Sequence, residues 1–195
     1  MRNFAFLGIL VLAVALGGCS VPTSIQPQTS AASEVANSKA FYSPVHVEYA
    51  FQPSDIDVTV HVIGNAGSAC SFPLSMSQAF YTTFDAINNQ AFHDLVPANT
   101  AGAYTIRFEI DSFDNSIVFA GGTAVAHSDL TLRVSVADPS SHEINRQFVR
   151  GSGYMQSSSF LCKDGEPAVA DSVQKALRQA GEEYAYRIVN ALTIK

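Results

Sequence analysis

Tryptophan is absent from this chain of 195 residues, and charge is sparse: Asp, Glu, Lys and Arg together make up 14% of it. Lysine and arginine number 11 against 17 acidic residues, a formal charge of -6, and the basic residues nowhere form a run. Affinity for a phosphate backbone is built from clustered Lys and Arg, so nucleic acid is excluded as a partner. The acidic residues are dispersed as well, which reads as a soluble surface that resists self-association rather than as an interaction tail. Catalytic patterns are equally scarce. Gly67-Ser68-Ala69-Cys70 and Gly151-Ser152-Gly153 lack both the G-x-S-x-G spacing and the strand-to-helix setting of a nucleophile elbow, and both read as loops or bends. The histidines His46, His61, His93, His127 and His142 show no H-E-x-x-H or other ligand spacing, so no metal is expected. His93-Asp94 is the one pair with a catalytic look, and at a helix end a histidine is better read as a partner of the terminal carbonyls and the dipole. No catalytic residue and no cofactor is therefore expected, which points away from an enzyme.

Long apolar runs are missing too, apart from Phe4 to Leu16, which follows the short positive segment Met1-Arg2-Asn3. A membrane-spanning helix wants roughly 20 apolar residues; this run is shorter and suits the core of a signal peptide. The junction Leu16-Gly17-Gly18-Cys19 resembles the lipobox of bacterial lipoproteins, with a branched apolar residue and two small residues before the cysteine. That resemblance implies removal of residues 1–18, diacylglycerol on the thiol of Cys19 and acylation of the new amine. Several acyl chains on one residue exceed the two-signal threshold for stable anchoring. Ser20 resembles the sorting signal of lipoproteins passed on to the outer membrane, which implies a protein lipid-anchored in the cell envelope, on the outer membrane facing the periplasm. Cleavage takes Arg2 and no acidic residue, so the mature chain is more acidic still.

Cysteine is scarce, with three in all, and setting Cys19 aside leaves Cys70 and Cys162. An even pair in an oxidising compartment is expected to form a disulfide, and in the chain-entropy model a loop of that size contributes roughly 4 to 5 kcal/mol. A redox or metal pair is the alternative, but neither a C-x-x-C spacing nor a neighbouring histidine supports it.

Residues 19–39 comprise the lipidated N-terminus and a stretch rich in Ser, Thr, Ala, Gln and Pro without periodicity, which reads as a flexible tether with a span of roughly 25 Å. Residues 40–195 have the size of one domain. Tyr104, Ile106, Phe108 and Ile110 alternate with polar residues, as do Leu130, Leu132, Val134 and Val136, so both segments read as strands with one face on a core. Ile117 to Ala120 extends the first past a bend or forms an edge strand, Asp138-Pro139-Ser140-Ser141 reads as a turn, and Ile144 to Met155 is the returning strand. Two more strands are read at His46 to Phe51 and Val58 to Ile63. A helix from about Leu74 to Phe92 carries Phe80, Phe84, Ile87 and Ala91 on one stripe, with Ser75 and Gln78 placed for a capping box. A second begins at Pro167 and carries Val169, Val173, Leu177, Ala180, Tyr184, Ile188 and Ala191. Two helices with single apolar stripes imply an α+β two-layer sandwich, an antiparallel sheet with both helices packed on one face.

The order strand, helix, antiparallel strands and long C-terminal helix, behind a lipobox and a polar tether, resembles small Gram-negative envelope lipoproteins. YajG-type lipoproteins, the auxiliary lipoproteins of ABC-type transport systems and LptE-type lipopolysaccharide-assembly lipoproteins share this layout. The matching pieces are Leu16 to Cys19, Tyr104 to Ile110, Leu130 to Val136 and the helix from Pro167 to Leu192. The leading expectation is a non-enzymatic binding or assembly factor for an envelope complex, held at the membrane by its lipid and partnered by another envelope protein. The alternative is a transport-accessory or lipid-handling role, which requires an apolar groove. Phe113 and Phe119, beside the Asp114-Asn115 and Gly121-Gly122 bends, are the candidate contact residues, since aromatics are enriched in interface cores.

Replacing Cys19 with Ala is expected to release the protein from membranes or leave it unprocessed, as read by fractionation; normal maturation and anchoring would sink the lipobox reading. On non-reducing gels, a mobility shift is expected that vanishes in Cys70→Ser and in Cys162→Ser; free thiols at both positions in periplasmic material would refute the bond.

Overall fold

The computed structural model describes residues 23–25, 41, 43–63, 72–158 and 162–193. Cys19, Cys70 and the side chain of Cys162 lie outside the described residues, and so do the lipid attachment expected at Cys19 and the disulfide expected between the other two.

Alternation between apolar and polar residues builds the centre of the molecule. Three long strands, β6 (Tyr104–Ala120), β7 (Thr123–Ala137) and β8 (Glu143–Ser158), form an antiparallel meander. In β7 the rule holds without a break: Ala124, Ala126, Ser128, Leu130, Leu132, Val134 and Val136 are all buried, and the residues between them are not. Gly121 and Gly122, both at positive φ (58° and 77°), make the two-residue turn from β6 to β7, a conformation that glycine adopts without strain. The turn into β8 is held by Asp138, whose Oδ1 accepts from the backbone N–H of Ser140 and His142 at 2.8 and 3.0 Å. β6 carries an irregularity at Asp111, where the register shifts by one residue. Two shorter strands, β2 (Val45–Tyr49) and β4 (His61–Ile63), pair side by side with the two halves of β6.

The layered α+β arrangement is as expected, but the sheet is mixed rather than purely antiparallel: β2 and β4 run parallel to β6. The chain passes through helix α1 (Ser77–Ala91) between them, and a crossover of that kind returns it in the same direction. The strand expected over Val58 to Ile63 is divided. Its first part, β3 (Val58–Thr59), pairs with β5 (Pro73–Ser75) in a separate small sheet, completed by β1 (Thr23–Ser24). Three residues of the segment read as a tether, Thr23 to Ile25, thus belong to the fold, and Ile25 is buried. Leu74, expected in α1, lies in β5, and the helix starts later without a capping box. Its first N–H groups are met instead by Asp57, whose carboxylate accepts from Met76 N at 2.7 Å, Ser77 N at 2.9 Å and Ser77 Oγ at 3.1 Å. That is an N-terminal cap supplied from another part of the chain.

Helix α2 (Cys162–Tyr184) starts five residues before the expected Pro167 and continues through a π-helical segment, Ala185–Val189, to a last turn at Asn190–Thr193. The core lies between the two helices and one face of the sheet. Phe80, Phe84, Ile87 and Ala91 of α1 are buried, as are Val169, Val173, Leu177, Ala180, Tyr184 and Ile188 of the second stripe; Ala191 is exposed. Phe84, Phe108 and Tyr184 meet with ring centroids 5.0 to 5.5 Å apart, tying both helices to β6. The Tyr184 hydroxyl donates to Asn88 Oδ1 at 2.5 Å, and burial pushes that phenol far above its ordinary range.

Gly151 and Gly153, read from sequence as a bend, stand inside β8 and face α2. A Cβ on Gly151 would lie 1.8 Å from the Ala176 carbonyl oxygen, and one on Gly153 would lie 1.7 Å from that of Ser172. Helix backbone therefore rests on strand backbone, and only glycine permits it. Gly151→Ala is expected to force the helix off the sheet and lower stability by about 3 kcal/mol. Ser152→Ala, on the opposite face, is expected to stay within about 0.5 kcal/mol. Chemical denaturation checks both, and an unchanged midpoint for Gly151→Ala would refute the close contact.

Candidate interaction surface

Helices cover one face of the sheet, and the pairing register fixes what stands on the other. Across β2, β6 and β7 this outer face is a mesh of ion pairs. Arg107 meets Glu48 at 3.6 Å and Glu109 at 3.1 Å, and Arg133 meets Glu109 at 2.9 Å and Asp111 at 3.6 Å. All five side chains are partly exposed, so each pair adds little stability, and together they make a hydrophilic surface. Toward β8 the character changes. Ile144, Phe148 and Tyr154 are 46%, 44% and 56% exposed, apolar positions on a face otherwise given to polar residues.

β8 is also an edge strand, and unpaired edges invite pairing with other chains. Part of this one is sealed from within. Lys175, Gln179 and Glu183, four residues apart on α2, reach over the edge: Lys175 Nζ donates to Tyr154 O at 3.2 Å, Ser152 N donates to Gln179 Oε1 at 2.8 Å, and Arg150 N donates to Glu183 Oε2. The match is one of rise, since four helical residues advance about 6 Å and two strand residues about 6.6 Å. Because Gly151 and Gly153 bring the helix so close, these side chains span the gap.

Beyond Arg150 the seal stops. A cleft of about 420 Å³ opens there between the strand edge and the end of α2, lined by Arg146, Gln147, Phe148, Arg150, Glu183 and Arg187. Arg146 is paired with Glu143 at 2.6 Å and Arg187 with Glu183 at 2.8 Å. Among the described residues, the Arg150 guanidinium has no ion-pair partner. A smaller hollow of about 290 Å³ lies beside it, between Asp129 to Thr131, Arg150 to Ser152 and Gln179.

The contact residues expected from sequence are elsewhere. Phe113 and Phe119 are half-buried and pair with Leu130 and Ala124, which face the helices, so both rings turn to the covered side. Phe119 stacks on Phe72 at 6.3 Å. The irregularity at Asp111 is the cause: before it Ile106, Phe108 and Ile110 face the helices, and after it the odd-numbered residues do. No bend occurs at Asp114-Asn115, which runs straight through β6. His93 and Asp94 are exposed beyond α1, and their backbone groups bond to Phe41 O and Val45 N. Among the described residues no cluster of His, Cys, Asp or Glu could hold a metal ion, and no helix is long and apolar enough to cross a membrane. Tyr49 is pushed far above its ordinary range by burial and by its 2.6 Å hydrogen bond to Asp85, so it stays a neutral donor. The residues around the cleft were missed by sequence reasoning. A signal existed in Ile144 and Phe148, which break the polar outer series of β8, and in the four-residue repeat of Lys175, Gln179, Glu183 and Arg187.

No family model matches the chain, and no curated protein matches it. Among solved structures, it is similar to a Xanthomonas campestris protein of the DUF330 family model, with 9% identity over 86% of this chain and 92% of that one and a TM-score of 0.52. A minor lipoprotein from Acinetobacter baumannii aligns over 80% of this chain and 94% of that one, with 11% identity and a TM-score of 0.46. The first likeness is one of fold, and on the second, below half, nothing rests.

Proposed function

We propose that this chain is a lipid-anchored protein of the cell envelope that acts as a non-enzymatic binding or assembly factor, offering its uncovered sheet face and edge to another envelope protein. The lipobox residues Leu16 to Cys19 support the anchor and the compartment. One observation favours binding over lipid carriage: the space between helices and sheet is filled. Phe80, Phe84, Phe108 and Tyr184 are completely buried there and in ring contact, where a lipid-handling protein needs an open apolar groove. Lipidation and the tether confine the domain near the membrane and raise its effective concentration toward neighbours, so a modest interface suffices.

Crosslinking in intact cells expressing the lipidated protein, followed by mass spectrometry of proteins and co-purified lipids, tests this reading. A specific protein partner without stoichiometric lipid is expected. Stoichiometric bound lipid, or a transporter component as the partner, would move the protein to the transport-accessory class.

A further inference from the structure

We infer that the uncovered stretch of β8, Ile144 to Phe148, is the docking edge for an extended acidic segment of a partner protein, which adds to the sheet as a further strand and sets a carboxylate against Arg150. This rests on the binding role proposed above and names the chemistry of the partner.

The backbone carries the first part of the case. Arg150 N, Ser152 N and Tyr154 O all bond outward to α2, so even-numbered residues of β8 turn their backbone groups away from β7. The two-residue period puts those of Arg146 and Phe148 on the same open side, and that period ends at Ile144, which has no partner on β7 because the register shifts there. The seal fails there for a local reason. Immediately after Tyr184 the helix takes its π turn, Ala185–Val189, which breaks the four-residue repeat that placed Lys175, Gln179 and Glu183. The residue next in that series is Arg187, a donor only, which cannot accept from a strand N–H and is already turned to Glu183.

Charge and apolar surface select the occupant. Three arginines against one glutamate line the cleft of a chain whose overall charge is -6. A carboxylate on an incoming strand can take Arg150 in a bidentate pair. Ile144 and Phe148 offer apolar contact to alternate side chains of the same strand, the usual division of labour when a strand adds to a sheet edge. A lipid phosphate would neutralise the arginine but leave the row of backbone donors and acceptors unmet. A second copy pairing about Arg146 would set arginine against arginine, which is unfavourable for residues directly opposite.

The test uses the mature lipidated chain in detergent micelles, isotope-labelled for NMR, and a capped peptide of Glu-Thr-Val-Thr repeats, which sets Glu and Val in turn along one face of the strand; a Lys-Val peptide with Lys in place of each Glu is the control. Two isomers of that peptide, N-methylated on one or the other alternate set of residues, show whether backbone pairing is used. The acidic peptide is expected to shift the Arg146 and Phe148 amide signals. Arg150→Gln and one N-methyl isomer should each weaken binding at least about tenfold, while the other isomer binds normally and a Lys-Val peptide does not bind. Absence of peptide-induced shifts, or equal binding by both isomers, overturns the proposal. So does Arg150-dependent binding of phosphatidylglycerol vesicles in place of the peptide, which identifies a lipid headgroup as the ligand. A partner crosslinked in cells on the ion-paired part of the sheet, with no peptide bound at the edge, removes this inference and leaves the binding role intact.

Discussion

Helix α2 lies on β8 with backbone against backbone, and most of what distinguishes this domain depends on that contact. Gly151 and Gly153 leave no room for a Cβ beneath Ala176 and Ser172. At this separation Ser172 Oγ, which donates to Val169 O at 2.8 Å, accepts from Ser128 Oγ at 2.7 Å, so both buried hydroxyls are partnered in the core. The same separation lets Lys175, Gln179 and Glu183 close the sheet edge, a protection against edge-to-edge aggregation that natural sheets need when a strand as long as β8 stands outermost. A larger residue at either glycine would undo packing, hydrogen bond and seal together.

The far end of α2 is organised by aromatic rings instead. Tyr184 is fully buried, packs against Phe84 and Phe108, and bonds to Asn88 on α1, so it links the two helices and the sheet at one point. The polar part of this core is costly. Asn88 Nδ2 and both amide atoms of Asn115 are buried without partners among the described residues, and each such group costs on the order of 1 to 3 kcal/mol. With the helix–sheet space so filled, recognition is left to the outer face and the open end of the edge. There the ion-paired mesh on β6 and β7 gives way to Ile144, Phe148 and the Arg150 guanidinium, which no described residue pairs.

Much of the fold was legible in the residues because burial follows period. The alternation in β7 and the stripes Phe80 to Ala91 and Val169 to Ile188 lie where their spacing puts them. The failures share a cause, which is dependence on a partner distant in sequence. The cap of α1 comes from Asp57, the division of the Val58 to Ile63 strand between two sheets comes from pairing with β5 and β6, and no local signal marks either. Phe113 and Phe119 face the helices because of a single extra residue at Asp111, since one such residue exchanges the two faces of a strand from there onward, and nothing local in the sequence marks it.

By itself, then, the sequence determined the main layers: the long strands, the two helices, the apolar face of β7 and of each helix, and a junction resembling a lipobox ahead of them. These features arise from side-chain chemistry at fixed local periods, which each segment carries alone. Tertiary structure alone decided the parallel placement of β2 and β4, the glycine contact under α2, and where the edge of β8 is closed and where it is open. Those depend on distances between the backbones of separate elements, and no local period encodes them.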